Sequence, residues 1–147
     1  MKTFTGRVIF GGTYKGEAVV THQGFNTLAS FQKSALNSNC KKVIVSDQNN
    51  KELFGVNITG KALCLPMTIG STTGGMVIQT VASRGIAPTA WLFASSIDPL
   101  AASGIILSRV WNNVPLIAID NLGDDFLNSI KTGGQIEVKE DGTVIVY

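Results

Sequence analysis

Three short apolar runs alternate with two stretches of helical periodicity between Lys61 and Asp120, and no other feature restricts the fold as much. Lys61-Ala62-Leu63-Cys64-Leu65-Pro66 is a buried strand stopped by proline. Met76, Val77, Ile78, Val81 and Ala82 then recur at helical spacing until Gly85 supplies a stop. Thr89 to Ala94 is a second strand, carrying Trp91 and Phe93. Asp98-Pro99 reads as an N-cap followed by proline at the first helical position, so Leu100 to Trp111 continues as helix. Val114 to Asp120 closes the series as a strand. A strand–helix–strand–helix–strand order needs right-handed crossovers and yields a parallel sheet.

The flanks read as β with irregular connections. Phe4 to Phe10 alternates as one strand, Gly11-Gly12 turns, and Glu17 to Val20 forms a second strand. Thr21 to Asn39 is polar and reads as a long loop with one helical turn. Lys42 to Ser46 is an apolar run bounded by charges and is expected as a strand, and Asp47 to Gly60 as a loop over the core. After a short helix from Asp124 to Lys131, Gln135–Lys139 and Thr143–Tyr147 pair as a hairpin around Glu140-Asp141-Gly142. The expected architecture is an α/β fold of β/β/α type, with a central parallel βαβαβ core and flanking antiparallel hairpins, in one domain over residues 1–147.

Composition removes several function classes. Only 15% of residues are charged and the net charge is +2, so nothing marks a nucleic-acid or anionic-membrane surface. A surface so sparsely charged is expected to give area to a protein partner. The apolar region from Ile86 to Leu107 is broken by Ser95-Ser96-Ile97-Asp98-Pro99, which a membrane span would not carry. Met1 to Arg7 lacks a following apolar stretch, so a soluble cytoplasmic protein is expected. Cys64 reads as core and Cys40 as polar surface; with one histidine, His22, they make no metal or cluster set.

Chemistry concentrates in Pro66-Met67-Thr68-Ile69-Gly70-Ser71-Thr72-Thr73-Gly74-Gly75. The segment leaves the carboxyl end of a buried strand and enters a helix N-terminus, where ligands of α/β sheets collect. Free N–H groups and the helix dipole suit an anion there. The plainer reading makes Ser71 or Thr72 an N-cap and nothing more. No Gly-Lys-Ser/Thr ending follows, which argues against nucleotide hydrolysis. Elsewhere, His22 reads as a solvated loop residue and Asp98 as a cap. Asp120, Asp124 and Asp125 mark a strand end and a helix start, and Arg84 and Arg109 suit the dipoles of their own helices. Trp91 reads as core, and Trp111 as a candidate interface anchor.

The run Ile58-Thr59-Gly60-Lys61-Ala62-Leu63-Cys64-Leu65-Pro66 followed by Gly70-Ser71-Thr72-Thr73-Gly74 resembles the swivelling domain of aconitase X. Gly11-Gly12, Gly16-Glu17-Ala18, Gly85-Ile86-Ala87-Pro88, Ile97-Asp98-Pro99-Leu100 and Val114-Pro115-Leu116-Ile117 fit in the same order, so the resemblance spans essentially the whole chain. It implies a swivelling β/β/α domain, either fused to a large catalytic subunit or its separate small subunit. The large subunit, not this chain, would hold an iron–sulfur cluster. The implied reaction is dehydration of a small hydroxy acid, either cis-3-hydroxy-L-proline or 5-phosphomevalonate. By position in the motif, Ser71 would be the base that removes the substrate proton. Gly70, Thr72, Thr73 and Gly74 would bind substrate, with Thr72 and Thr73 also able to hold Ser71.

Two departures bear on the substrate. Ile69 stands where many relatives have arginine before Gly-Ser, and Ser30-Phe31 runs into Gln32-Lys33 rather than glycines. The few cations near Ser71, together with low charge and Asn-rich segments, favour cis-3-hydroxy-L-proline over the phosphorylated acid. The rival of another class is a non-catalytic domain that completes a partner's surface, with Ser71 only a cap.

Overall fold

A computed structural model describes residues 1–37 and 39–147. The expected core is present. Strands β5 (Ala62–Leu65), β7 (Ala90–Phe93) and β8 (Ile117–Asp120) run parallel, joined by helices α2 (Gly74–Ser83) and α3 (Pro99–Trp111). All four residues of each strand are buried, because helices cover one face and further strands the other. Asp98 caps α3 with Pro99 next, and Gly85 ends α2 at φ +72°, as those residue types require.

Strand β3 (Tyr14–Val20) turns the sheet's corner. Tyr14 to Glu17 pair antiparallel with β9 (Gln135–Val138), while Ala18 to Val20 pair parallel with β5. Strand β10 (Thr143–Val146) forms the expected hairpin with β9. The first strands depart from expectation. Phe4 to Phe10 is two strands, β1 (Lys2–Thr5) and β2 (Arg7–Phe10), and neither pairs with β3. β1 lies against β10 at one end of the eight-stranded order and β2 against β8 at the other. Gly6 alone joins the two ends, so the sheet curls until its edges meet. A side chain there would strike Asp120 O and Ile119, which is why glycine sits at the seam.

The curl encloses one core, including Val20, Cys64, Leu92, Ile119, Phe126, Ile136 and Val144. The helix-covered face forms the other, centred on Trp91 with Phe25, Phe31 and Phe93 at ring separations of 5.6–6.5 Å.

Two further readings are corrected. Within the segment expected as loop lie strand β4 (Phe25–Asn26) and a ten-residue helix, α1 (Thr27–Leu36); Ser38 of that segment lies outside the described residues. The face that α1 buries is Thr27, Ser30, Phe31 and Ser34, a helical repeat with only one apolar member. Lys42 to Ser46 is not a strand. Val43 and Val45 are buried as alternation implies, but the facing segment turns, leaving one isolated bridge, Ile44 with Asn57. Helix α4 (Asp124–Ser129) is shorter than expected. Among the described residues no helix is long and apolar enough to cross a membrane.

Candidate active site

The Gly70–Gly74 segment lies at the carboxyl edge of the parallel strands. After β5 the chain forms a two-residue strand, β6 (Thr68–Ile69), that pairs parallel with β4. Gly70 follows at φ +111°, where a Cβ would lie 2.8 Å from Asn26 Oδ1. That oxygen accepts the Ala29 N–H and so caps α1, and the turn into Ser71 is packed against the start of α1. Gly74 is similarly confined, since a Cβ would meet Thr27 Oγ1. At Gly75 and Gly104 the backbones of α2 and α3 approach too closely for side chains.

Ser71, Thr72 and Thr73 are all exposed. Ser71 Oγ accepts the Thr73 N–H at 3.2 Å and shares a hydrogen bond with Thr73 Oγ1 at 2.9 Å. Neither Ser71 nor Thr72 is the N-cap of α2; that position falls to Thr73, whose side chain makes no capping bond. The Gly74 N–H is met by Ser71 O. The hydroxyl of Ser71 therefore serves no capping function; it accepts the Thr73 N–H, and the Thr73 hydroxyl lies within hydrogen-bond reach of it. Met67 and Ile69 before it in the chain and Met76 after it are exposed.

The other sequence candidates sit apart from Ser71 or behave differently. Asp98 does more than cap α3: its carboxylate also accepts the Thr68 N–H and hydroxyl. Asp120 is buried and accepts two bonds from Arg7, at 2.9 and 2.6 Å, and one from the Ile97 N–H. Burial pushes its carboxyl up, but the Arg7 and Ile97 bonds outweigh this and hold it below the usual range. Arg7 belongs to β2 and commits its guanidinium to this carboxylate.

His22 is not simply solvated. Its Nδ1 meets Glu52 Oε2 at 2.7 Å, Nε2 lies 3.1 Å from Leu127 O, and the Glu52 bond raises its pKa. Glu52, thirty residues away, left no signal in the sequence. Arg84 serves a neighbouring helix rather than its own, donating to the carbonyls of Ser34 and Ala35 in the last turn of α1 and of Asn37 and Cys40 just past it. Arg109 packs over Phe10 and donates to Gly11 O and Leu116 O. Trp91 is fully buried, whereas Trp111 is 72% exposed.

Among the described residues no three Cys, His, Asp or Glu side chains come together as metal ligands. Cys64 is enclosed by the core inside the curled sheet, where burial drives its thiol pKa far upward and keeps it protonated. This chain's described residues do not fit an iron–sulfur cluster.

The aconitase X swivel-domain family model matches residues 3–147. The chain belongs to that family. The match runs through every strand and helix described above, so the aconitase X swivel fold accounts for the curled sheet and its three covering helices. A crystal structure of aconitase X from Thermococcus kodakaraensis superimposes with a TM-score of 0.81 at 27% identity, covering 100% of this chain and 99% of that one. The phosphomevalonate dehydratase small subunit of Methanothrix thermoacetophila is 31% identical over 138 residues, spanning 94% of this chain and 89% of the relative. The protein of the same name from Archaeoglobus fulgidus is 26% identical, over 94% and 92%.

Proposed function

We propose that this chain is the small subunit of an aconitase X-type dehydratase acting on 5-phosphomevalonate, with Ser71 as its proton-abstracting base. The observation that carries the reading is an exposed serine with no capping duty whose Oγ accepts the Thr73 N–H and lies 2.9 Å from the Thr73 hydroxyl, which can donate once Ser71 is charged. A free serine is a poor base, because its alkoxide is too unstable at neutral pH. Two donors within 3.2 Å and the positive end of α2 stabilise that charge where it forms. The substrate C–H proton passes to Ser71 Oγ, the electron pair of that bond becomes the new carbon–carbon double bond, and the hydroxyl leaves as hydroxide with its own pair, a charge that a Lewis acid on the large subunit would accept. Thr72 and the backbone of Gly70 and Gly74 border the same corner and bind substrate in this reading.

The partner is a large catalytic subunit, consistent with the small-subunit names of the relatives. An iron–sulfur cluster belongs to that subunit in this proposal, and the proton transfer to Ser71 rests on this chain's own residues. The exposed Met67, Ile69 and Met76 would be covered on assembly. The phosphorylated substrate is supported by the same names. cis-3-Hydroxy-L-proline is the second reading, favoured by the exposed, uncharged Ile69 ahead of Gly70, which leaves the phosphate to be neutralised by the partner.

The test is reconstitution with the large subunit and dehydration assays on both acids, using the native chain and S71A. Turnover falling by about 10²–10⁴-fold in S71A, with assembly and melting temperature unchanged, supports the base. Full activity in S71A returns the chain to a surface-completing role.

A further inference from the structure

Asp98 is over-committed for a helix cap. An N-cap needs to take one N–H from the first turn, and Asp98 Oδ2 does so with Ala101 at 3.1 Å. The same oxygen accepts the Thr68 hydroxyl at 2.6 Å, and Oδ1 accepts the Thr68 N–H at 3.1 Å. One carboxylate therefore joins the start of α3 to β6, three residues ahead of Ser71. Thr68 is 7% exposed and Asp98 is half-buried, and the carboxylate's charge makes both bonds stronger than neutral ones. The segment bearing Asp98 is itself fixed from the other side, because the adjacent Ile97 N–H donates to the buried Asp120 that Arg7 anchors. From Thr68 the chain has one strand residue and then Gly70, the residue least able to hold its own conformation. The direction in which Ser71 leaves that glycine is set upstream.

We propose that Asp98 is a positioning residue for Ser71, acting through its two bonds to Thr68. The inference rests on the reading of Ser71 as the base. It assigns to Asp98 a role in the site with no contact to substrate. The tether holds β6 against both β4 and α3, so that Ser71 Oγ stays within reach of the Thr73 N–H and hydroxyl.

Two substitutions separate this role from capping. Serine caps a helix as well as aspartate does but is too short to span to Thr68, so D98S keeps α3 and cuts the tether. T68V removes the hydroxyl donor at nearly constant volume, and T68S restores it. The first readout is amide exchange on the full chain. In D98S and T68V the Thr73 amide should exchange about tenfold faster, while Ala102, inside α3, stays within about twofold of the native rate. The second readout is phosphomevalonate dehydration by the reconstituted complex. There kcat should fall about tenfold or more with KM nearly unchanged, and T68S should recover most of it. If D98S proves unstable, T68V against T68S decides the matter alone. Native Thr73 exchange and native kcat in T68V overturn the proposal. S71A, assayed beside them, tells the two failures apart. An inactive S71A with a fully active T68V refutes only the positioning role, whereas an active S71A removes the base and the positioning role with it.

Discussion

Replacing Gly70 with alanine should be costly for two separable reasons. At φ +111° an L-residue is strained, by about 1–3 kcal/mol. The new Cβ would also lie 2.8 Å from Asn26 Oδ1 and 3.0 Å from its Cγ. The Asn26 side chain must then withdraw from the Ala29 N–H, forfeiting the cap of α1 at about 1 kcal/mol. Together these predict a loss of about 2–4 kcal/mol. In a chain this long each kcal/mol moves the melting temperature by about 3 °C, so thermal unfolding of G70A should fall by about 6–12 °C. Gly85 provides the control, since it too has positive φ, +72°, but nothing lies within 4 Å of an added Cβ. G85A should show only the backbone cost, about 1–2 kcal/mol. The steric part is then isolated by repeating G70A in an N26A background, where it should cost about 1 kcal/mol less than in the native chain. If G70A melts no lower than G85A, or costs the same in both backgrounds, the packing of the Ser71 turn against α1 is refuted.

Two other outcomes follow from the polar contacts. R84L removes the guanidinium bonds to four carbonyls at the end of α1, of which Asn37 O keeps the Cys40 N–H, and should cost about 2–3 kcal/mol, or roughly 6–9 °C in melting temperature. R84K should rescue little, because an ammonium cannot reproduce the forked geometry, and faster exchange across α1 should accompany the loss. The His22–Glu52 pair makes stability depend on pH with a defined sign. His22 has its pKa raised above 6.5, so its contribution is complete below that value and fades as pH climbs through the folded one. Burial pushes Glu52 up, but bonds from His22 and Thr21 hold it below 4.5, so its share is present above 4.5 and fades as pH falls. Denaturant titrations of E52Q against the native chain should therefore differ most between about pH 4.5 and 6.5, and a pH-independent difference would refute the assignment.

What the sequence made legible was what its apolar pattern carried. Strands β5, β7 and β8 are continuous apolar runs, and Gly85, Asp98 and Pro99 punctuate the helices between them with residue types that have few other uses. Helix α1 escaped because its buried face is three hydroxyl residues and one phenylalanine, and no hydrophobic period exists to read. Its N-terminus is capped locally by Asn26, while its C-terminus is supplied from elsewhere, by Arg84 beyond α2. Lys42 to Ser46 shows the converse: alternation identified the buried valines, but a strand also needs an extended partner. The location of Ser71 could be read from the order of elements. Its hydrogen bonds could not, nor could the second use of Asp98, since a single aspartate before proline announces only a cap. Partners thirty residues apart, such as Thr68 and Asp98 or His22 and Glu52, meet only once the loops at one sheet edge are folded side by side.

The seam at Gly6 has a consequence for how the chain comes into being. Lys2 faces Val146, and Thr5 faces Thr143, so among the described residues the first strand of this fold in chain order pairs with its last. β2 meets β8 across more than a hundred residues. Closing the curled sheet must therefore wait until β10 has been made, and the interval leaves β1 and the β3 edge meant for β9 open to foreign strands. A C-terminal truncation as short as β10 would make that interval permanent.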